Sequence, residues 1–144
     1  MNNLQNNLYG KIAKLIENAR AQVRRNINSA LVITYWQIGK LIVEDELNGN
    51  YRADYGKAIL QSLSSQLTEN FGKGFDVTNL RKMKQFYALF PKQDSVRLEL
   101  TRTHYRHLLR VEKEPVRMWY VQETITENWS TRALERQINS FYYE

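Results

Sequence analysis

Six polar side chains between Thr78 and Gln85 form the densest chemical cluster in the chain: Thr78, Asn79, Arg81, Lys82, Lys84 and Gln85. They sit in the stretch FDVTNLRKMKQFYALFP, which runs from Phe75 to Pro91. Side-chain amides suit the edge of adenine and arginine suits guanine, each through paired hydrogen bonds. Lysines more often hold phosphate oxygens. A second set follows, in which Arg102, Arg106 and Arg110 recur every four residues and so share one helix face, with Thr103 beside them. Taken together the two sets predict a continuous phosphate-binding surface for nucleic acid, duplex DNA first. Each also has a plainer reading. Thr78 and Asn79 could simply cap a helix, and a short RKxK run or an arginine stripe also marks a solvated helix face.

Other candidate chemistry is sparse. His104 and His107 are three residues apart, a spacing that could bring two imidazoles onto a metal, but with no cysteine and few acids nearby no metal is predicted. Glu44, Asp45 and Glu46 form a carboxylate cluster that reads as a solvated helix end. No Ser-His-Asp set, P-loop or glycine-rich nucleotide fingerprint is present, so neither catalysis nor a cofactor is expected of these residues. Trp36, Trp119 and Trp129, with Tyr35, Phe86, Tyr87 and Tyr120, invite a base-stacking reading. Their apolar surroundings at helical spacing favour core packing.

The cations are unevenly spread. From Met1 to Asn70 eight Lys/Arg face six Asp/Glu, from Phe71 to Arg117 eleven face five, and from Met118 to Glu144 two face four. The overall +6 therefore sits in the middle third, which favours a polyanionic partner. Within 144 residues and 42% hydrophobic content a single domain with a real core is expected. No apolar run approaches the ~18 residues of a membrane span, and the first residues lack the pattern of a signal peptide. The absence of cysteine fits the cytoplasm.

Elements must position these side chains. Apolar residues recur at helical spacing from Leu4 to about Glu46 without a proline, which predicts one very long helix or two in succession. A helix of ~40 residues outruns a small core, so part of its stripe needs another layer or a second copy of the chain. A homodimer through this helix is the expectation. Asn48-Gly49-Asn50 reads as a turn, with Asp54 capping a helix from about Tyr55 to Asn70 whose stripe is Ile59, Leu63 and Leu67. Gly72 and Gly74 then separate it from a helix capped by Asp76, striped by Leu80, Met83, Tyr87 and Phe90, and stopped at Pro91. Helix, glycine turn and basic helix is the order of a helix-turn-helix. Val96, Leu98 and Leu100 alternate with polar residues and predict a short strand, the wing of a winged helix. Thr101 caps a helix to about Val111, Pro115 suits the first turn of another, and Ser130 caps a last one. That last helix runs into Phe141, Tyr142 and Tyr143 at the chain's end, as a fragment of something longer would.

Four sequence boxes stand in order along the chain: YW-x-IG from Tyr35, GKGF-x-x-x-NLR-x-M-x-x-FY from Gly72, HYR-x-LLRV from His104 and NWS-x-R-x-LERQI from Asn128. From about Ala19 onward they resemble the N-terminal domain of the YhcG-like bacterial proteins. The resemblance implies a winged helix-turn-helix DNA-binding region, linked to DNA restriction and carried ahead of a PD-(D/E)xK-type nuclease domain that these residues do not include. The second half is also similar to the helix-turn-helix of ParB-type partition proteins, which implies two stacked units.

The sequence thus predicts a mainly α domain with little or no β structure. Residues 1–47 form a long helical layer, 54–111 a helix-turn-helix or winged-helix unit and 101–144 a second helix-turn-helix-like unit. The function expected is weakly specific or non-specific DNA binding that positions a nuclease. A protein-interaction module and an RNA-binding domain are the alternatives.

Overall fold

The computed structural model describes residues 2–49 and 53–140. Among them the chain is helical with no strand. Helix α1 (Asn2–Gly49) is unbroken, roughly 70 Å long at ~1.5 Å per residue. It is followed by α2 (Ala53–Phe71), α3 (Val77–Leu89), α4 (Arg102–Leu108), α5 (Glu114–Thr126) and α6 (Thr131–Asn139). Asn50, the Asp54 carboxylate and the aromatic run Phe141, Tyr142 and Tyr143 lie outside the described residues.

The C-terminal half of α1 is the spine against which α3 packs. At Gly39 an added Cβ would collide with the carbonyl group of Met83, so the two helices touch backbone to backbone there. Three residues earlier the Trp36 indole donates a 2.7 Å hydrogen bond to the Phe90 carbonyl and fixes the end of α3 on α1. One apolar cluster joins Ile42 of α1, Leu60 of α2, and Leu80 and Met83 of α3. Among the described side chains of α2 Leu60 is the most buried, in place of the expected Ile59, while Leu63 and Leu67 pack beside it. The larger cluster joins Val32 and Trp36 to Phe86, Phe90, Tyr105, Leu108, Tyr120 and Leu134. Phe86 rather than Tyr87 sits on the buried stripe of α3; Tyr87 packs edge-on against Trp36, with ring centroids 5.4 Å apart.

The predicted caps at Asp76 and Ser130 form. Asp76 accepts the Asn79 N–H at 2.8 Å, and Ser130 accepts the Ala133 N–H at 3.1 Å. Gly72 and Gly74 take left-handed φ values of 87° and 105° in the turn between α2 and α3, a conformation that side chains disfavour.

The predicted wing strand is absent. Residues after Pro91 make a short 3-10 turn, Gln93–Ser95. The Tyr105 hydroxyl then takes the Arg97 N–H at 2.5 Å and donates to the Arg97 carbonyl at 3.0 Å. Those are the backbone groups a strand would need for a ladder. Val96 and Leu100 are buried while Leu98 stays exposed, so the alternation that suggested a strand belongs to a loop laid across the core.

Candidate nucleic-acid interface

A groove runs between α3 and α4. One end is lined by Tyr35 of α1, Asn79, Lys82 and Phe86 of α3, and Arg102, Tyr105 and Arg106 of α4. Its other end is lined by Lys82, Gln85, Arg106, His107 and Arg110 together with Glu112 and Glu135. Lys82 and Arg106 line both ends and make the two one surface. The Tyr35 end holds about 100 Å³, below the ~300 Å³ at which small-molecule sites begin, and the His107 end about 540 Å³.

Helix spacing explains the lining. Asn79, Lys82 and Gln85 are three residues apart and stack along one flank of α3, as Arg102 and Arg106 do on α4, with Arg110 in the turn beyond it. Because Asp76 is the cap of α3, the Asn79 side chain is free to line the groove, and Thr78 is simply exposed. Among the described residues no carboxylate lies within ion-pair distance of Lys82, Arg102, Arg106 or Arg110. The Arg102 guanidinium lies over the Tyr35 ring, 4.8 Å from its centroid, which holds that side chain at the rim.

Several expected contacts are not in the groove. Lys84 turns to the opposite flank of α3, where its ammonium is 2.6 Å from the Glu46 carboxylate of α1. Its charge is thus neutralised within the fold, which corrects its assignment to the DNA-facing set. Arg81 and Thr103 are exposed but do not line the groove, and Gln85 spends one amide hydrogen on the Leu109 carbonyl at 3.3 Å. Arg117, one of the eleven cations of the middle third, is buried. It donates to the carbonyls of Val111 at 2.9 Å, Glu112 at 3.3 Å and Leu89 at 3.2 Å, and desolvation holds its guanidinium below its ordinary value. The surface is consequently less basic than the sequence tally implied.

The histidines divide. The Thr101 N–H donates to His104 Nδ1 at 3.0 Å, which leaves Nε2 to carry the proton toward the Trp129 carbonyl at 2.9 Å. Together with the bond from the His104 N–H to Thr101 Oγ1, this is a reciprocal capping box at the start of α4. His107 faces the groove with Nε2 3.1 Å from Glu135; desolvation lowers its pKa and the Glu135 charge works against that. Among the described residues no group of three or more His, Asp or Glu converges as a metal site. Burial likewise pushes the Tyr105 hydroxyl well above its ordinary range.

Tyr35 is the member of the site that the sequence concealed, because its box reads first as core. The other boxes now have physical meanings too. In NWS-x-R-x-LERQI, Asn128 adopts a left-handed φ of 52°, Trp129 receives His104, and Ser130 caps α6.

Residues 11–144 match the DUF1016 N-terminal domain. The chain belongs to that family. It is also 31% identical to a protein of Escherichia coli (strain K12) named "Putative nuclease YhcG", over 95% of this chain and 45% of that protein. The chain therefore spans less than half the length of this relative. No solved structure gives a significant match to the chain. The family match and the named relative support a nuclease-associated domain, and the residues that hold the family's boxes in place are largely those that build the α1–α3–α4 frame under the groove. Among the described residues no helix is long and apolar enough to cross a membrane.

Proposed function

We propose that this domain binds duplex DNA along the α3–α4 groove with little sequence preference, and so brings nuclease activity carried elsewhere in the whole protein to its substrate in the bacterial cytoplasm. The observation that carries the reading is the convergence of Lys82, Arg102, Arg106 and Arg110 on one groove, none of them in an ion pair with a carboxylate of the described residues although Glu112 and Glu135 also line it. Point charges on long side chains hold phosphates; they do not by themselves read bases. Asn79 and Gln85 are the two side-chain amides placed to touch base edges. Of the two helix-turn-helix readings, this one uses α2–α3 to present the first flank and α4–α6 to present the second. The domain's own part is binding, with no step of chemistry assigned to it.

Four phosphate contacts would give a salt slope of about −3.6 in a plot of log affinity against log salt. Fluorescence anisotropy on a random duplex, repeated across salt concentrations, tests this. The triple variant Lys82→Ala, Arg106→Ala, Arg110→Ala should abolish most of the affinity while leaving the fold intact. Unchanged affinity in that variant, or no duplex binding by the parent chain at low salt, sinks the proposal. Structured RNA competing better than duplex at equal salt would transfer the groove to RNA.

A further inference from the structure

The face of α1 turned away from the domain is apolar and uncovered. Leu8, Ile12, Leu15, Ile16, Val23 and Ile27 are 47–69% exposed, and Leu41, further along, is 68% exposed. These belong to one stripe: Ile12, Ile16, Ala19, Val23, Ile27, Ala30, Thr34 and Leu41 follow one another at steps of three, four or seven residues. The repeat is close to ~3.6 residues per turn, so the stripe runs straight along the helix instead of drifting around it. Val32, Trp36, Gly39 and Ile42, which pack into the domain, lie on the opposite side. A free helix with such a face loses to water what a packed one would gain.

We infer that the stripe is covered by a second copy of the same helix, antiparallel, about a two-fold axis that passes between Asn26 and Ile27. Two features of the sequence select this occupant. The stripe is self-complementary about that point: Ile12 of one copy meets Leu41 of the other, Ile16 meets Gln37, Ala19 meets Thr34, and Val23 meets Ala30. The end pair Ile12–Leu41 is large and apolar, while Ala19–Thr34 and Val23–Ala30 nearer the axis carry small side chains, which allows axes ~8–10 Å apart there. The charge pattern has the same polarity. Residues 8–27 carry Lys11, Lys14, Arg20, Arg24 and Arg25 against Glu17, whereas residues 28–48 carry Lys40 against Glu44, Asp45 and Glu46. Antiparallel pairing sets Lys11 of each helix opposite Ile42 of the other, within a turn of Glu44 and Asp45, whereas parallel pairing would set the five basic side chains of residues 8–27 beside their own copies. A two-fold axis closes the assembly at two copies. The pairing leaves the α3–α4 groove of each copy open, so it adds to the DNA-binding reading without resting on it.

The chain has no cysteine, so introduced thiols report contacts without background. Ile12→Cys and Leu41→Cys proteins, mixed and oxidised, should give the unlike cross-linked pair, and Ile12→Cys alone should give almost none. Sedimentation equilibrium should show twice the chain mass. Val23→Glu should weaken association at least about 100-fold, since each copy would bury a carboxylate in place of a valine, with duplex affinity measured in parallel. A chain that stays monomeric at all accessible concentrations, or Ile12→Cys that cross-links to itself as readily as to Leu41→Cys, overturns the inference. Duplex binding by such a monomer would still leave the groove's function standing.

Discussion

The Lys84 ammonium is held 2.6 Å from the Glu46 carboxylate, and this pair ties α3 to the C-terminal end of α1. The short run RKMK thus sends its three cations to three destinations: Arg81 to solvent, Lys82 to the groove and Lys84 to α1. Residues two apart on a helix point about 200° apart, so adjacency in a basic run says little about shared function.

Lys82 and Lys84 should therefore respond differently to removal. Lys82→Ala is expected to weaken duplex binding for all sequences alike and to reduce the salt slope by about one. Arg106→Ala should do the same. Lys84→Ala should leave the slope unchanged and cost about 1 kcal/mol of stability, as befits an ion pair whose two side chains are a quarter exposed. Anisotropy titrations at several salt concentrations, beside urea denaturation, separate the two behaviours. Equal loss of slope in Lys82→Ala and Lys84→Ala would count against the groove.

Gly39→Ala tests the frame beneath the site. The added methyl meets the Met83 carbonyl group, which is backbone and cannot rotate aside. Overpacking of a tight interface costs about 1–3 kcal/mol, and here α3 must also shift relative to α1. The melting temperature should fall by several degrees at least. Duplex affinity should fall too, because Tyr35 and Arg102 on one side and Lys82 on the other are positioned by that contact. The same substitution at Gly10, where nothing lies near, should be neutral or mildly stabilising.

Much of the frame was legible from local chemistry. Asp76, Thr101 and Ser130 announced three helix starts, since a short oxygen-bearing side chain ahead of an apolar repeat is a cap by its own geometry. Gly72 and Gly74 announced the turn in the same way. What could not be read were events decided by distant partners. The Val96–Leu100 alternation became a loop because Tyr105 took the backbone groups of Arg97. Arg117 looked like one more surface cation until three carbonyls from two segments closed around it. For the candidate site, the Arg102, Arg106 and Arg110 set was visible as a period of four. Its meeting with Asn79, Lys82 and Gln85 in one groove was not, because that depends on how α3 and α4 pack.

Arg117 and Arg110 form a natural pair of controls. Arg117→Leu removes the donors to Leu89, Val111 and Glu112, leaving buried carbonyls unsatisfied, and should cost about 3 kcal/mol or more. Arg110→Ala acts on an exposed side chain and should change stability by no more than about 0.5 kcal/mol, while weakening duplex binding. Chemical denaturation together with anisotropy decides the matter. If Arg110→Ala destabilises as much as Arg117→Leu, the exposed arginines are structural and the groove loses its claim.

His107 gives the fold a pH dependence with a definite sign. Desolvation lowers its pKa from the ordinary 6.5, and Glu135 at 3.1 Å opposes that shift without cancelling it. The unfolded chain then binds its proton more readily than the folded chain. Its contribution to stability is fully present above the unfolded pKa and is lost as pH falls from there through the folded value. His107→Gln, which keeps a polar side chain without a titrating group, should flatten the stability profile between roughly pH 7 and pH 5. Glu135→Gln should act in the opposite direction: without the carboxylate that favours the imidazolium, the folded pKa drops further and acid destabilisation steepens. Urea midpoints measured across that range for the parent chain and both variants would show the ordering. A profile unchanged by His107→Gln would place the acid-sensitive group elsewhere.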